Sequence, residues 1–149
     1  MQHIVSISGG KDSTATYLMA LEKLGGDFLP VFADTGNEHP LTLEYISTLA
    51  QRTGGPEVVF IRADFTERLK KRRESIVTKY PAERIAPAIE AIDLALEMDT
   101  PFLSLCAWKG MFPSNTKRFC TSEFKIIPIY DQVYTPYLDA GETVVSWQG

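Results

Sequence analysis

The sequence predicts an α/β fold, one domain with a mostly parallel sheet between helical layers. Three observations predict it. Short β-branched or aromatic runs alternate with helical periodicity over the first sixty residues, glycine and proline punctuate each junction, and a β-branched run recurs near residue 145. Alternation with short links is the pattern of parallel strands joined by crossover helices. At 149 residues there is room for one such domain.

Ile4–Val5–Ser6–Ile7–Ser8 reads as a buried strand ending at Gly9 and Gly10. Tyr17, Leu18, Leu21 and Leu24 then share a helical face, and Gly25–Gly26 supplies the stop. Phe28–Ala33 is a second strand, in which Pro30 lacks a ladder donor. Pro40 suits the first position of a second helix, whose stripe of Leu43, Ile46 and Leu49/Ala50 ends at Gly54–Gly55–Pro56. Val58–Ile61 is the third strand. Beyond it the pattern loosens. Asp64 with Glu67 reads as a capping box opening a helix that Pro81 stops after about Tyr80. Pro87 reads as opening another, with Ile89, Ile92 and Leu96 on one face. Residues 110–115 read as loop, before a helix that starts near Thr121 and is interrupted or restarted at Pro128. Thr143–Trp147 is a late strand with no covering helix after it, the pattern of a truncated chain or a naturally short one. There is no internal repeat or low-complexity tract.

Composition excludes several classes. Hydrophobic residues at 44% and charged residues at 23% are ordinary for a globular chain, not a disordered one. A net charge of -4 and a pI near 5.2 argue against coating nucleic acid through overall charge. Two cysteines make no disulfide framework, so a reducing, cytoplasmic compartment is expected. No basic leader and no bilayer-length apolar run is present, so no membrane partner is expected.

Chemistry concentrates in Ser8–Gly9–Gly10–Lys11–Asp12–Ser13–Thr14, between the first strand and the first helix. Adjacent glycines allow close backbone approach to an anion, and a helix N-terminus aims amides and a positive dipole end at it. Ser8, Ser13 and Thr14 add hydroxyls, and Lys11 a mobile cation. The loop is neither a Walker A loop, since Asp12 follows Lys11, nor GxGxxG. The plainer alternative is a tight turn capped by Asp12 or Ser13. Asp34 falls at the carboxyl end of the second strand, where open α/β sheets bind ligands. Its carboxylate fits Mg²⁺ or a ribose hydroxyl, or else an Asx-turn with Gly36. His39 precedes Pro40 and reads as a residue opening the helix. Lys117 and Arg118 precede Cys120 before a helix N-terminus, an arrangement that lowers a thiol's pKa; the alternative is a small packed cysteine. Cys106 lies in an apolar stretch and reads as core.

Ser8–Ser13 resembles the pyrophosphatase-type loop of the adenine nucleotide alpha-hydrolase superfamily. Asp34–Thr35–Gly36 with Pro40, and Arg118–Phe119–Cys120–Thr121 with Lys125 and Pro128, resemble blocks of its phosphoadenosine phosphosulfate (PAPS) reductase family. The resemblance implies a Rossmann-like three-layer domain over residues 1–149. It implies an adenine nucleotide, either ATP or PAPS/APS, held by Ser8 to Thr14 with Asp34, Thr35 and Gly36. It further implies Mg²⁺ at Asp12 or Asp34, catalytic roles for Lys11, Asp12 and Cys120, and substrate contacts from Lys117, Arg118 and Lys125. The expected activity is attack at the alpha-phosphate of ATP, coupled to sulfur transfer from a donor protein. Thiol-dependent PAPS or APS reduction, a sulfotransferase-like activity, and a non-catalytic nucleotide-binding subunit are the alternatives. Reductases of the family carry a redox cysteine in a C-terminal tail, whereas no cysteine follows Cys120 here. The family's Gly-x-Arg substrate segment has a counterpart only in Gly149. Two cysteines do not support an iron–sulfur cluster.

Residues 62–84 hold eight lysines and arginines against four acids. Such runs are solvated helix faces or phosphate-contacting surfaces for nucleic acid. The sequence is silent on oligomeric state.

Overall fold

The computed structural model describes residues 1–98 and 100–149. Its sheet is wholly parallel: β1 (Gln2–Ile7), β2 (Leu29–Asp34), β3 (Val59–Arg62) and β4 (Val144–Trp147), in the order β3-β2-β1-β4. Helices α1 (Lys11–Leu24) and α2 (Pro40–Thr53) cover one face. They bury Val5, Ile7, Phe28 and Phe32 against Tyr17, Ala20, Ile46 and Leu49. The other face, Ile4, Val31, Ala33 and Ile61, packs on a last helix, α6 (residues 119–139), through Val133 and Ile129. Burial on both faces is why the strands read as continuous apolar runs and not as alternation. The three-layer α/β domain predicted from the sequence is the fold observed.

Local chemistry sets the boundaries of the first half. Gly25 (φ 59°) and Gly54 (φ 70°) end α1 and α2 in the left-handed region, each donating its N–H to the carbonyl four residues back. His39 caps α2, its Nδ1 accepting the Leu41 N–H at 3.2 Å. Pro30 precedes the first pairing with β3, Val31 opposite Val59, which keeps its missing donor out of that ladder.

The second half departs from expectation. Helix α3 (Thr66–Lys79) starts one residue late for a capping box. Asp64 instead accepts the Thr66 N–H at 2.8 Å, and Glu67 pairs with Lys70. Pro87 does not open a helix but lies inside α4 (Ala82–Met98). An internal proline costs about 3 kcal/mol. Packing of Ile85, Ile89, Ile92 and Ala95 on Leu69 and Ile76 of α3 offsets that cost. Helix α5 (Pro101–Lys109) had no periodic signal because it is short and apolar nearly all round. Helix α6 begins at Phe119 and runs through Pro128 unbroken, with π-helical stretches at Ser122–Ile126 and Tyr130–Tyr134. A proline ring presses on the carbonyl four residues back, here Phe124 for Pro128 and Gln132 for Pro136. Both carbonyls lie in the widened π turns, which relieve the clash.

Candidate functional site

β1 ends at Ile7, so Ser8–Gly10 turns over the carboxyl edge of the sheet directly into α1. The two glycines do different work. Gly9 has φ +77°, and a Cβ there would sit 2.7 Å from Thr42 Cγ2. Gly10 is ordinary extended backbone (φ -82°, ψ 164°), and its Cβ would meet only Ser8 Oγ at 3.5 Å. Gly9 therefore makes the turn possible, while Gly10 keeps its outer side open.

The hydroxyls hold the loop's shape. Ser13, 3% exposed, accepts the Ser8 N–H and O–H, both at 3.1 Å, and donates to the Gly10 carbonyl at 3.0 Å. Thr14 Oγ1 also donates to that carbonyl, 3.0 Å away, and meets the Tyr45 hydroxyl. These hydrogens point into the loop, not outward. Gly10 itself is the N-cap, in place of Asp12 or Ser13, and no side chain caps the first turn. The leading amides of α1 thus have no intrahelical acceptor, and the dipole adds positive potential there. Lys11 and Asp12 project to solvent beside them.

A cavity of about 350 Å³ opens over the carboxyl ends of β1 and β2. Ser8 and Ser13 form one wall, Phe32, Ala33 and Glu38 the floor side, and Thr121, Lys125 and Tyr130 of α6 the opposite wall. Gln148 and Gly149 close it beyond β4, which the Trp147 indole fastens to β1 by donating to His3 Nδ1 at 3.1 Å.

Asp34, Thr35 and Gly36 lie beside this cavity and not on its wall. Asp34 Oδ1 accepts the Gly36 N–H at 2.8 Å, an Asx-turn, and Oδ2 faces Arg62 Nε at 3.8 Å. Thr35 donates to Glu38 at 2.9 Å and accepts the Phe102 N–H at the start of α5. Asp34 is thus engaged by a cation and an amide, while Asp12 is exposed on α1. Among the described residues no cluster of three His, Cys, Asp or Glu side chains is placed to hold a metal.

The third block divides. Thr121 and Lys125, one helical turn apart, reach the cavity. Cys120 packs half-buried against the cluster of Ala63, Phe65, Leu105 and Phe124. Lys117 is exposed, and the Arg118 guanidinium bonds the Asn115 carbonyl at 3.2 Å. Cys106 is buried, and burial, with Cys120 nearby, pushes its thiol above the ordinary value.

The phosphoadenosine phosphosulfate reductase domain matches residues 2–96, from β1 into α4. The chain belongs to this family. An uncharacterized 37.8 kDa protein from the gpa 5′ region of Escherichia phage 186 is 41% identical over 161 residues, covering 99% of this chain and 46% of that protein. An uncharacterized protein of Methanocaldococcus jannaschii is 38% identical over 69 residues, 46% of this chain and 14% of its own length. The chain thus spans less than half the length of the curated relatives it matches. No solved structure matches it. The PAPS reductase family binds nucleotides such as PAPS and is generally enzymatic. The matched span includes the glycine loop and Asp34, while Lys117–Lys125 lies outside it.

Sequence reading missed an ion triad on the helix that brings Lys125 to this cavity. Glu123, 9% exposed, accepts from Arg68 of α3 at 2.7 Å and Lys109 of α5 at 3.0 Å. Both cations also lie over the Trp108 ring, 4.8 and 4.1 Å from its centre. Burial pushes the Glu123 carboxyl up, but the two cations outweigh it and hold the group below the usual range. The triad ties α3 and α5 to the π stretch that carries Lys125. No local signal marks it, because Arg68 is 55 residues away.

The triad also answers for part of the basic run. Arg62, Arg68, Lys70 and Arg73 pair with Asp34, Glu123, Glu67 and Asp93, and Arg72 bonds the Tyr80 hydroxyl. Most of these cations serve the fold. Among the described residues no helix is long and apolar enough to cross a membrane.

Proposed function

We propose that this PAPS reductase-family chain binds an adenine nucleotide over β1 and β2 and acts at its alpha-phosphate, in the ATP case by adenylation. One observation carries the reading: uncapped α1 amides stand beside a cavity into which α6 brings Lys125. The amides of Lys11, Asp12 and Ser13 take phosphate oxygens. Gly9 and Gly10 permit their approach, and Ser13 and Thr14 turn the Gly10 carbonyl away from the anion. Lys11 and Lys125 stabilise charge developing on pyrophosphate as it leaves. An acceptor oxygen attacks the alpha-phosphorus, and the bond to the pyrophosphate oxygen breaks with its electron pair leaving on pyrophosphate. The acceptor's proton passes to solvent. Displacement of AMP by a sulfur nucleophile from a donor protein completes the reading, with Lys117 and Arg118 as exposed contacts for the second substrate.

Thiol-dependent reduction of PAPS would run through Cys120, whose packing against the cluster of Ala63, Phe65, Leu105 and Phe124 does not favour it. Incubation with alpha-labelled ATP, and separately with PAPS and a dithiol, tests the assignment. Labelled adenylate or AMP with pyrophosphate supports it. Sulfite release from PAPS supports reduction instead, and recovery of both nucleotides unchanged makes the chain a binding module.

A further inference from the structure

A second cavity, of about 590 Å³, lies between α3, α4 and α5 and shares no wall residue with the nucleotide cavity. Its body is apolar: Ile76, Ala88, Ala91, Ile92, Leu103 and Ala107. The alanines supply its width, since methyl side chains on α4 and α5 leave the space that larger ones would fill. Its rim is apolar too. Leu94, Met98, Met111 and Phe112 are 54%, 51%, 41% and 70% exposed around one opening. Scattered exposed hydrophobics are ordinary, but a ring of them around a cavity marks a binding surface. Two are methionines, which adapt to varied apolar shapes.

One end is different. Arg72 and Tyr80 line it, the guanidinium donating to the Tyr80 oxygen at 2.8 Å. Tyr80 accepts that bond and keeps its own O–H hydrogen to donate. Arg62, Arg68 and Arg73 each have a carboxylate partner, whereas among the described residues Arg72 has none. A half-buried cation and a phenol donor thus converge at the end of an apolar slot.

We propose that this groove binds a single-chain amphiphile with an anionic head, of the medium-chain carboxylate class. The carboxylate meets Arg72 and Tyr80, and the chain lies along α4 beneath the methionine rim. Charge complementarity selects this occupant: one fork-shaped cation answers one carboxylate. The volume is that of a small-molecule site.

The chain has four methionines, Met1, Met19, Met98 and Met111, which provide the readout. Methyl-labelled methionine NMR is followed during titration with decanoate and, separately, decanol. Decanoate is expected to shift Met98 and Met111 saturably, leave Met1 and Met19 unmoved, and bind roughly tenfold or more tighter than decanol, as a charge-assisted pair implies. Arg72→Gln should erase that preference, and Ala91→Phe should block both ligands by filling the slot. Tyr80→Phe, which keeps the ring and removes only the O–H, should weaken decanoate but not decanol, and gives the test should Arg72→Gln fail to fold. The proposal is overturned by three results: no saturable shift, equal affinity for the two probes, or Met98 and Met111 shifts that follow protein concentration instead of decanoate. The last would make the groove an interface between copies.

Discussion

Gly10→Val separates the nucleotide reading from the fold. At φ -82° and ψ 164° the position accepts a β-branched residue, and its Cβ meets only Ser8 Oγ at 3.5 Å. Losing a glycine N-cap costs up to about 1 kcal/mol, and the restricted unfolded chain returns about 0.4–1 kcal/mol. The variant should therefore melt within roughly 3 °C of the parent. Its methyls, however, stand where phosphate oxygens would meet the α1 amides. A ligand at a hundred times its Kd stabilises by about 2.7 kcal/mol, roughly 5–10 °C for a domain of this size. That ATP-dependent shift should vanish in Gly10→Val. Gly9→Ala is the contrasting control. Its φ of +77° and the 2.7 Å approach to Thr42 predict a folding defect. Left-handed backbone costs about 1–2 kcal/mol and overpacking about 1–3 kcal/mol, together roughly 4–20 °C. Differential scanning fluorimetry with and without ATP reads both variants. An undiminished ATP shift in Gly10→Val would refute the phosphate-loop assignment, and a parental melting point in Gly9→Ala would refute the backbone argument.

Other outcomes follow from the same geometry. Lys125→Ala, at an exposed site on the cavity wall, should weaken ATP binding about tenfold by isothermal titration and leave the melting point unchanged. Glu123→Gln should lose about 1–3 kcal/mol in urea unfolding at neutral pH, less than a fully buried pair because Arg68 and Lys109 are partly exposed. The Glu123 carboxyl is depressed below its ordinary 4.5 in the folded state, so its stabilisation is present above that value and lost as pH falls through the folded one. The parent should therefore lose its advantage over Glu123→Gln below about pH 4.5, and parallel stability curves between pH 3 and 6 would contradict the ion triad. Cys120 should alkylate several-fold faster than the buried Cys106, whose thiol burial raises, with mass spectrometry following each. Equal rates would place both thiols in the core.

Local and non-local physics divide what was legible in this protein. The βαβαβ half follows from sequence alone because its signals are short-range: a glycine or histidine at a helix end, a proline at a first turn, two-sided apolar strands. The glycine loop belongs to the same class, since its residues are consecutive and its chemistry is set by a strand running into a helix. Tertiary packing decided the rest. Pro87 sits inside α4 because contacts with Leu69 and Ile76 outweigh a local penalty. Pro128 sits inside α6 because a π turn makes room for its ring. The hydroxyls of Ser13 and Thr14 turn inward once the Gly10 carbonyl needs donors. Asp34 goes to Arg62 because pairing β2 with β3 in parallel register sets those two residues side by side. Glu123 finds its two cations across α3 and α5, and the slot beside Arg72 exists only where three helices meet over alanines. Each of these depends on groups brought together by folding, at separations over which a residue's sequence neighbours carry no trace of the partner.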